Sequence, residues 1–259
     1  MSAATAIGID IGGTGIKGAT VDLATGELTS DRIKLATPKG GRPDDIVQTT
    51  KELLAQLSPE PDASVGVCFP AVVRHGRTMS AANVSEEWIG FEAEALFESV
   101  LARDIHFVND ADAAGFAEAR FGAARDVPGV VILTTLGTGI GSAVLNDGIL
   151  LPNTELGHIG VGHHEDYETR AAYSVKERED LSWEKWAHRL QKYYRALEKL
   201  FSPDLFIVGG GVSKHHDEFL PLLDLNTPIV PAVLRNNAGI LGAAALAASP
   251  SPTEQVLRD

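Results

Sequence analysis

The sequence has one cysteine, Cys68, no stretch of 18 consecutive apolar residues and no excess of basic residues. A single cysteine excludes an internal disulfide and a zinc cage built from cysteines. A membrane-spanning helix needs about 20 apolar residues, and residues 1–5 show neither a basic leader nor the apolar core of a signal peptide. We therefore expect a cytoplasmic protein with no membrane partner.

Acidic residues outnumber basic ones, 35 to 22, which gives a formal net charge of −13. This charge repels nucleic acid, so we expect no nucleic-acid partner, and any anionic substrate must be held by local groups. The 259 residues are 44% hydrophobic and 22% charged, which is typical of a globular protein. This length allows one large domain or two lobes.

Apolar and polar residues alternate in residues 6–11, 16–23 and 27–36, and glycine turns separate these stretches. The alternation predicts an antiparallel meander. The pattern returns in the second half of the chain, where strands are predicted at 130–133 and 142–145. A shift of 124 residues places Gly13-Thr14-Gly15-Ile16 on Gly137-Thr138-Gly139-Ile140. We therefore predict two duplicated halves.

The remaining segments predict alternating strands and helices. Strands are expected at 65–69, 105–108 and 205–208, and helices at 43–57, after Asp112 as far as Gly122, and along 183–200. Ser213 is a candidate N-cap of a further helix. Small residues fill 238–248 and would allow close packing.

Each half contains one glycine turn with a hydroxyl group inside it. Backbone N–H groups in such turns bind phosphate oxygens without a positive net charge, and Lys17 adds a cation to the first turn. The predicted phosphate-binding residues are Gly12, Gly13, Thr14, Gly15, Lys17, Gly137, Thr138 and Gly139. The alternative is a pair of ordinary hairpin turns whose glycines adopt positive φ. A nucleotide fingerprint at 13–18 is excluded because a strand follows it instead of a helix.

Asp10 precedes the first turn and lies on the face opposite the apolar residues of its strand. A carboxylate beside phosphates is unfavourable without an intervening cation, so Asp10 is a candidate Mg²⁺ ligand, directly or through water. The alternative role is to cap the turn.

Asn109 and Asp110 stand at the carboxyl end of a buried strand, where open α/β folds place functional groups. Asp110 is a candidate general base for a hydroxyl that attacks phosphorus, and Asn109 a candidate substrate ligand. Equally, Asn109, Asp110 or Asp112 could cap the helix that follows.

Glu155 and His158 follow the second turn and suit the hydroxyl groups of a sugar. Together with His163 and His164 they also suggest a metal site, which we favour less because no cysteine and no helical histidine spacing accompany them.

Five motifs, in this order, resemble the ROK family of sugar kinases in the actin-like ATPase superfamily: 10–17, Asn109-Asp110, 136–141, Glu155-Leu-Gly-His158 and 209–211. Further segments resemble the subgroup of this family that phosphorylates glucose with inorganic polyphosphate. They include Phe69-Pro70, 83–88, 181–186, 205–214 and 227–239.

The resemblance implies an α/β protein with the actin-like, ribonuclease H-like fold and two lobes around a central cleft. Residues 1–108 would form the N-terminal lobe, with helix 238–248 packing back on it, and residues 109–237 the C-terminal lobe. Asp110 would be the general base for the 6-hydroxyl of the sugar. The sugar would be bound by Asn83, Asn109, Asp110, Glu155, His158 and Glu168, and the adenosine of ATP would lie near Gly209, Gly210 and Gly211.

The implied activity is transfer of a phosphoryl group from polyphosphate, and ATP, to glucose by a homodimer that uses Mg²⁺. The alternatives are an enzyme that also accepts mannose and a non-catalytic sugar sensor. Typical family members bind a structural zinc through cysteines after the His of the E-x-G-H motif, but 163–175 contains none. No structural zinc is therefore expected. Ala71 replaces the glycine of the usual Phe-Pro-Gly, which puts only the local turn in doubt.

Overall fold

The computed structural model describes residues 5–249, and their contacts form two compact units. The first unit comprises residues 5–113 and 239–249, and the second comprises residues 114–238. The division falls after Ala113, inside a helix, whereas the sequence analysis placed a lobe boundary between residues 108 and 109. No helix within residues 5–249 is long and apolar enough to cross a membrane.

The first unit contains a five-stranded sheet of order β3-β2-β1-β4-β7. Strands β1, β2 and β3 pair antiparallel, whereas β4 and β7 join in parallel. Its elements are β1 (Thr5–Gly12), β2 (Gly15–Asp22), β3 (Ile33–Leu35), α1 (Pro43–Leu57), β4 (Val65–Phe69), β5 (Val73–Arg74), β6 (Arg77–Thr78), α2 (Ala93–Leu101) and β7 (His106–Asn109). Helix α3 (Asp110–Phe121) begins in this unit and continues into the second.

The second unit contains a sheet of order β10-β9-β8-β11-β12. Strands β8, β9 and β10 pair antiparallel, and β11 and β12 join in parallel. Its elements are β8 (Val130–Leu136), β9 (Ile140–Asn146), β10 (Ile149–Leu151), α4 (Glu168–Ala171), α5 (Tyr173–Arg178), α6 (Trp183–Phe201), β11 (Leu205–Gly209), α7 (His216–Phe219) and β12 (Ile229–Pro231). Helix α8 (Ala238–Ala247) follows and belongs to the first unit from Gly239 onward.

The two sheets have the same connectivity, which confirms the predicted duplication. In each sheet a hairpin comes first, a third antiparallel strand extends it on one side, and two parallel strands after a helix extend it on the other. Gly12 pairs with Gly15 at the first hairpin turn, and Leu136 pairs with Ile140 at the second. Corresponding glycine turns therefore occupy corresponding positions.

Helix α8 packs unusually close to the first sheet because glycines face it. A Cβ added at Gly8 would lie 1.8 Å from the carbonyl oxygen of Ile240, and one at Gly66 would lie 1.9 Å from that of Ala243. Only glycine permits such approach between a strand and a helix backbone. The small residues of the last helix thus form a tight contact with β1 and β4.

Each unit has its own aromatic core. In the first, Trp88 packs against Phe69 and Phe97, with ring centroids 4.5 Å and 6.2 Å apart. In the second, Tyr194 packs against Tyr193 and Phe206 at 5.3 Å and 5.1 Å. In α6, Leu200 is 64% exposed. It lies in the last turn of the helix, beyond the buried stripe that ends at Leu197.

Two local predictions were wrong. The third strand covers only 33–35 rather than 27–36, because the polar segment before it is held by a side chain: Thr20 N donates to Ser30 Oγ at 3.0 Å. Ser213 does not cap a helix, since it lies inside a 3-10 turn, Gly211–His215. Gly210, with φ of +81°, redirects the chain early enough for this turn to begin at Gly211.

Candidate active site

The first glycine turn joins β1 and β2. None of its glycines has a positive φ, so the alternative based on hairpin geometry does not explain them. Close contacts explain two of these glycines. A Cβ at Gly13 would lie 2.8 Å from Cβ of Asn83, and one at Gly15 would lie 2.6 Å from Cε of Lys34. The turn is therefore packed against Asn83, a residue that the sequence analysis assigned to the sugar.

Asp10 is held by neighbours on both sides at the end of β1. Its Oδ2 accepts a hydrogen bond from Nζ of Lys17 at 3.0 Å, because the hairpin register pairs these two residues. The thiol of Cys68 lies 3.7 Å from Oδ1. Burial and the charge of Asp10 raise the pKa of Cys68 well above its usual value. The thiol therefore stays protonated and acts as a weak donor to the carboxylate.

The start of α3 resolves which residue caps that helix. Oδ1 of Asn109 accepts hydrogen bonds from the backbone N–H groups of Ala111 and Asp112, at 2.8 Å and 3.0 Å, so Asn109 is the cap. Its Nδ2 donates to the carbonyl of Ala71 at 2.9 Å. The capping fixes Asp110 as the first residue of α3, and Oδ1 of Asp110 also accepts from Ala111 N at 2.8 Å. The Asn109 amide carries two N–H donors, and this contact uses one of them.

The second glycine turn joins β8 and β9 and is anchored by α4 and α5. Ser174 donates twice, from its backbone N to the carbonyl of Gly137 at 3.0 Å and from Oγ to that of Thr138 at 2.7 Å. A Cβ at Gly139 would lie 2.5 Å from Oε2 of Glu168. A Cβ at Gly137 would meet nothing within 4 Å. Neither crowding within this unit nor a positive φ therefore accounts for the glycine at 137.

Glu168 connects the second turn to a polar cluster. Its Oε2 accepts from Ile140 N at 2.9 Å, and its Oε1 lies 4.0 Å from Nδ1 of His158. Nε2 of His158 in turn lies 4.0 Å from Oε2 of Glu155. The turn and the cluster are thus adjacent in the second unit.

The acids around His158 set its charge. Burial lowers the pKa of His158, but the hydrogen bond to Asp166 and the charges of Glu168, Asp166 and Glu155 outweigh burial, and the net pKa is raised. Burial raises the pKa of Glu155, and the neighbouring His158 offsets part of that effect. The cluster thus contains an imidazole that holds its proton more tightly than usual.

Three side chains of this cluster, His158, Asp166 and Glu168, place one nitrogen or oxygen each within 4.8 Å of the others. This spacing resembles a metal site, but His158 Nδ1 already donates to Asp166 Oδ2 at 3.1 Å. His163 and His164, which the sequence analysis considered as metal ligands with Glu155 and His158, are not in this group. We assign no metal here.

The three glycines at the end of β11 and directly after it differ in how much space a side chain would have. Gly210 has φ of +81°, and a Cβ there would lie 2.4 Å from the carbonyl oxygen of Leu136. Gly209 makes only ordinary contacts, and a Cβ at Gly211 would meet nothing within 4 Å. Gly210 is therefore structural, whereas Gly211 borders open space.

Sequence reasoning missed Asp166 and Ser174. Neither belongs to a recognisable motif, and each reaches the site through the chain that folds back after His158. An isolated antiparallel β-bridge between Val161 and His164 marks the turn at which the chain reverses direction. The one sequence signal for Asp166 and Ser174 was that each is a polar residue that follows the Glu155-Leu-Gly-His158 motif.

Two duplicated α/β units with a glycine turn each, and a polar cluster beside one turn, are features of sugar kinases with the actin-like ATPase fold. The model of the ROK family matches residues 6–170. The chain belongs to the ROK family and has this fold.

The chain is 49% identical over 238 residues to polyphosphate glucokinase of Mycobacterium tuberculosis, covering 92% of this chain and 89% of that protein. The solved inorganic polyphosphate/ATP-glucomannokinase of Arthrobacter sp. strain KM is 51% identical, with a TM-score of 0.87 and coverage of 95% and 98%. A ROK family glucokinase of Streptomyces griseus, in complex with glucose and AMPPNP, is 26% identical with a TM-score of 0.78 and coverage of 93% and 98%.

Proposed function

We propose that this protein is a polyphosphate glucokinase, which transfers a phosphoryl group from inorganic polyphosphate, and also from ATP, to the 6-hydroxyl of glucose. The observation that carries the proposal is the position of Glu168. It accepts from Ile140 at the second glycine turn and lies beside His158, so a phosphate-binding turn adjoins a cluster suited to hydroxyl groups. The similarity to the mycobacterial and Arthrobacter enzymes supports it.

In this proposal Asp110 takes the proton of the 6-hydroxyl while its oxygen attacks the terminal phosphorus of the donor. The bond from that phosphorus to the bridging oxygen breaks, and the shortened polyphosphate or ADP leaves. Asn109 caps α3 and thereby fixes Asp110 at the carboxyl end of β7. The residues proposed to bind phosphates of the donor are Thr14 and Lys17 at the first glycine turn and Thr138 at the second. The other hydroxyl groups of the sugar bind Asn83, Asn109, Glu155, His158 and Glu168. The adenosine of ATP lies near Gly209, Gly210 and Gly211.

We propose that Mg²⁺ accompanies the phosphoryl donor and that Asp10 holds it. Whether Asp10 binds the ion directly or through water depends on the other contacts of the Asp10 carboxylate. Lys17 occupies one oxygen at 3.0 Å, and the Cys68 thiol lies near the other. Mg²⁺ commonly keeps several of its waters, so these contacts suit binding through water better than direct ligation. Bound there, the ion would neutralise charge on the phosphates.

Three further parts of the proposal concern the cell and the assembly. We propose that the enzyme is cytoplasmic, forms a homodimer and has no structural zinc. Mannose is a second candidate acceptor, because the Arthrobacter relative is described as a glucomannokinase. A comparison of glucose with mannose as acceptors, at equal donor concentration, tests this point.

The test of Asp110 is Asp110→Asn. We expect kcat for glucose phosphorylation to fall about 10²- to 10⁴-fold, the usual cost of losing a general base, with the fold and the affinity for glucose retained. Asp104→Asn is the control, because Asp104 is an exposed acid shortly before β7. A coupled assay of glucose 6-phosphate measures both variants.

Nearly full activity of Asp110→Asn would remove Asp110 from the mechanism. Release of phosphate from polyphosphate by the wild-type protein without any sugar would instead indicate a phosphatase. Binding of glucose without turnover of either donor would favour the non-catalytic sensor.

A further inference from the structure

Asp166 is the acid that directly contacts His158, and no motif includes it. Its Oδ2 lies 3.1 Å from Nδ1 of His158, closer than any carboxylate oxygen of Glu155 or Glu168. Three carboxylates thus face one imidazole, two of them on one side of the ring at Nδ1 and the third at Nε2.

The local chain holds Asp166 in place. It stands just before α4, and its backbone carbonyl accepts from Thr169 Oγ1 at 2.6 Å. Its second carboxylate oxygen, Oδ1, is buried and accepts no hydrogen bond among residues 5–249. The side chain as a whole is 43% exposed. Within residues 5–249, the hydrogen bond of its carboxylate is the one to His158, so the carboxylate orients that ring rather than the surrounding loop.

The chemistry of a hydroxyl group explains why the charge of His158 matters. Glu155 accepts but does not donate when ionised, and a hydroxyl has one hydrogen to give. A hydroxyl that donates to Glu155 therefore needs a donor for its own oxygen. While Nδ1 carries the hydrogen that it donates to Asp166, His158 supplies a donor at Nε2 only when both ring nitrogens carry hydrogen, and an anion at Nδ1 favours this form.

We propose that Asp166 is a positioning residue for the sugar site, which orients the ring of His158 and keeps it doubly protonated. In this form Nδ1–H donates to Asp166, and Nε2–H donates to a sugar hydroxyl whose hydrogen is accepted by Glu155. The role in sugar binding rests on the proposed function, whereas the effect of Asp166 on His158 does not.

The test is Asp166→Asn, with Glu165→Gln as the control. Glu165 is exposed and adjacent, so its substitution removes the same charge without the contact to His158. The titration of the His158 ring is followed by NMR in the sugar-free protein and assigned with His158→Gln. We expect Asp166→Asn to lower the pKa of His158, since a negative neighbour is lost, and Glu165→Gln to leave it nearly unchanged.

Kinetics supply the second measurement. At neutral pH we expect Asp166→Asn to raise KM for glucose roughly tenfold, as expected for a lost charge-assisted hydrogen bond, with KM for polyphosphate unchanged. Because imidazolium forms below the pKa of His158, lowering the pH restores KM for glucose toward the wild-type value. In a His158→Gln background, Asp166→Asn adds little further effect.

Unchanged titration of His158 in Asp166→Asn would overturn the proposal, and so would a rise in KM that lower pH does not reverse. A full additional loss in the His158→Gln background would equally overturn it, because Asp166 would then act on the fold. A wild-type protein that does not phosphorylate glucose would contradict the proposed function instead, while the titration still tests the contact between Asp166 and His158.

Discussion

Two adjacent tyrosines in α6 lie in the same core but differ in the hydrogen bonding of their hydroxyl groups. Tyr193 and Tyr194 are both fully buried. The hydroxyl of Tyr194 shares a hydrogen bond with Thr134 Oγ1 at 2.6 Å, whereas that of Tyr193 has no partner among residues 5–249. Burial raises the pKa of both phenols, so both remain neutral at ordinary pH.

Phenylalanine substitutions separate these two cases. A buried hydroxyl without a partner costs about 1–3 kcal/mol, and a satisfied one contributes about 1 kcal/mol net. We therefore expect Tyr193→Phe to increase the free energy of unfolding by about 1 kcal/mol and Tyr194→Phe to decrease it by a similar amount. Urea unfolding of both variants measures the difference. A loss of stability in Tyr193→Phe would show that a buried water satisfies this hydroxyl.

The candidate site was predictable residue by residue only where a short motif fixes the spacing. Glu155 and His158 were predicted because they are three residues apart in one motif, and Asn109 and Asp110 because they follow the apolar residues of a buried strand. Asp166 contacts His158 only after the chain turns between Val161 and His164. Such a contact depends on loop geometry, which periodicity does not encode.

At the scale of elements, the sequence predicted the regular segments best. Helix α1 and strand β4 were predicted at their observed bounds, because each combines a strong pattern with a clear stop. The predicted bounds of the third strand were wrong, because the alternation of apolar and polar residues continues through a segment in which a side chain, that of Ser30, takes the hydrogen bond from the neighbouring strand. The close contact of α8 with Gly8 and Gly66 reflects backbone approach between segments far apart in sequence, which local patterns do not specify.

The glycines after β8 and β11 allow the two donors to be distinguished. Gly137 and Gly211 both lack a positive φ and border open space, so alanine should leave stability almost unchanged at either position. We expect Gly137→Ala to raise KM for polyphosphate and for ATP at least tenfold, because a methyl group would obstruct phosphate binding to the turn. Gly211→Ala should impair only ATP. Steady-state kinetics with each donor measures both effects.

Gly210→Ala is the structural control for these variants. Its φ of +81° and its contact with Leu136 predict a loss of stability by more than about 1 kcal/mol, whichever donor is used. Full activity of Gly137→Ala with both donors would contradict phosphate binding at the second turn. Equal losses with both donors in Gly211→Ala would contradict a site for adenosine alone.

At the scale of the whole molecule, a net charge of −13 has to accommodate a polyanionic donor. Attraction must come from basic side chains that acids have not already neutralised. Arg42 pairs with Glu87 at 2.9 Å, and Arg77 pairs with Glu92. In the part of the chain that the structure describes, Lys39, Arg74, Lys214 and Arg235 form no ion pair within 4.0 Å. We treat these four as candidate cations for binding a long polyphosphate.

The hairpin of β5 and β6 provides a matched test of this electrostatic attraction. Arg74 and Arg77 face each other across it and are both exposed; within residues 5–249, Arg77 is paired with an acid and Arg74 is not. Salt screens exposed charges over about 10 Å at 0.1 M, so KM for long polyphosphate should rise with NaCl more steeply than KM for ATP. We expect Arg74→Gln to raise KM for polyphosphate at low salt and flatten its salt dependence, and Arg77→Gln to change both much less. Equal effects of the two substitutions would mean that net charge, rather than the unpaired guanidinium, controls binding of the donor.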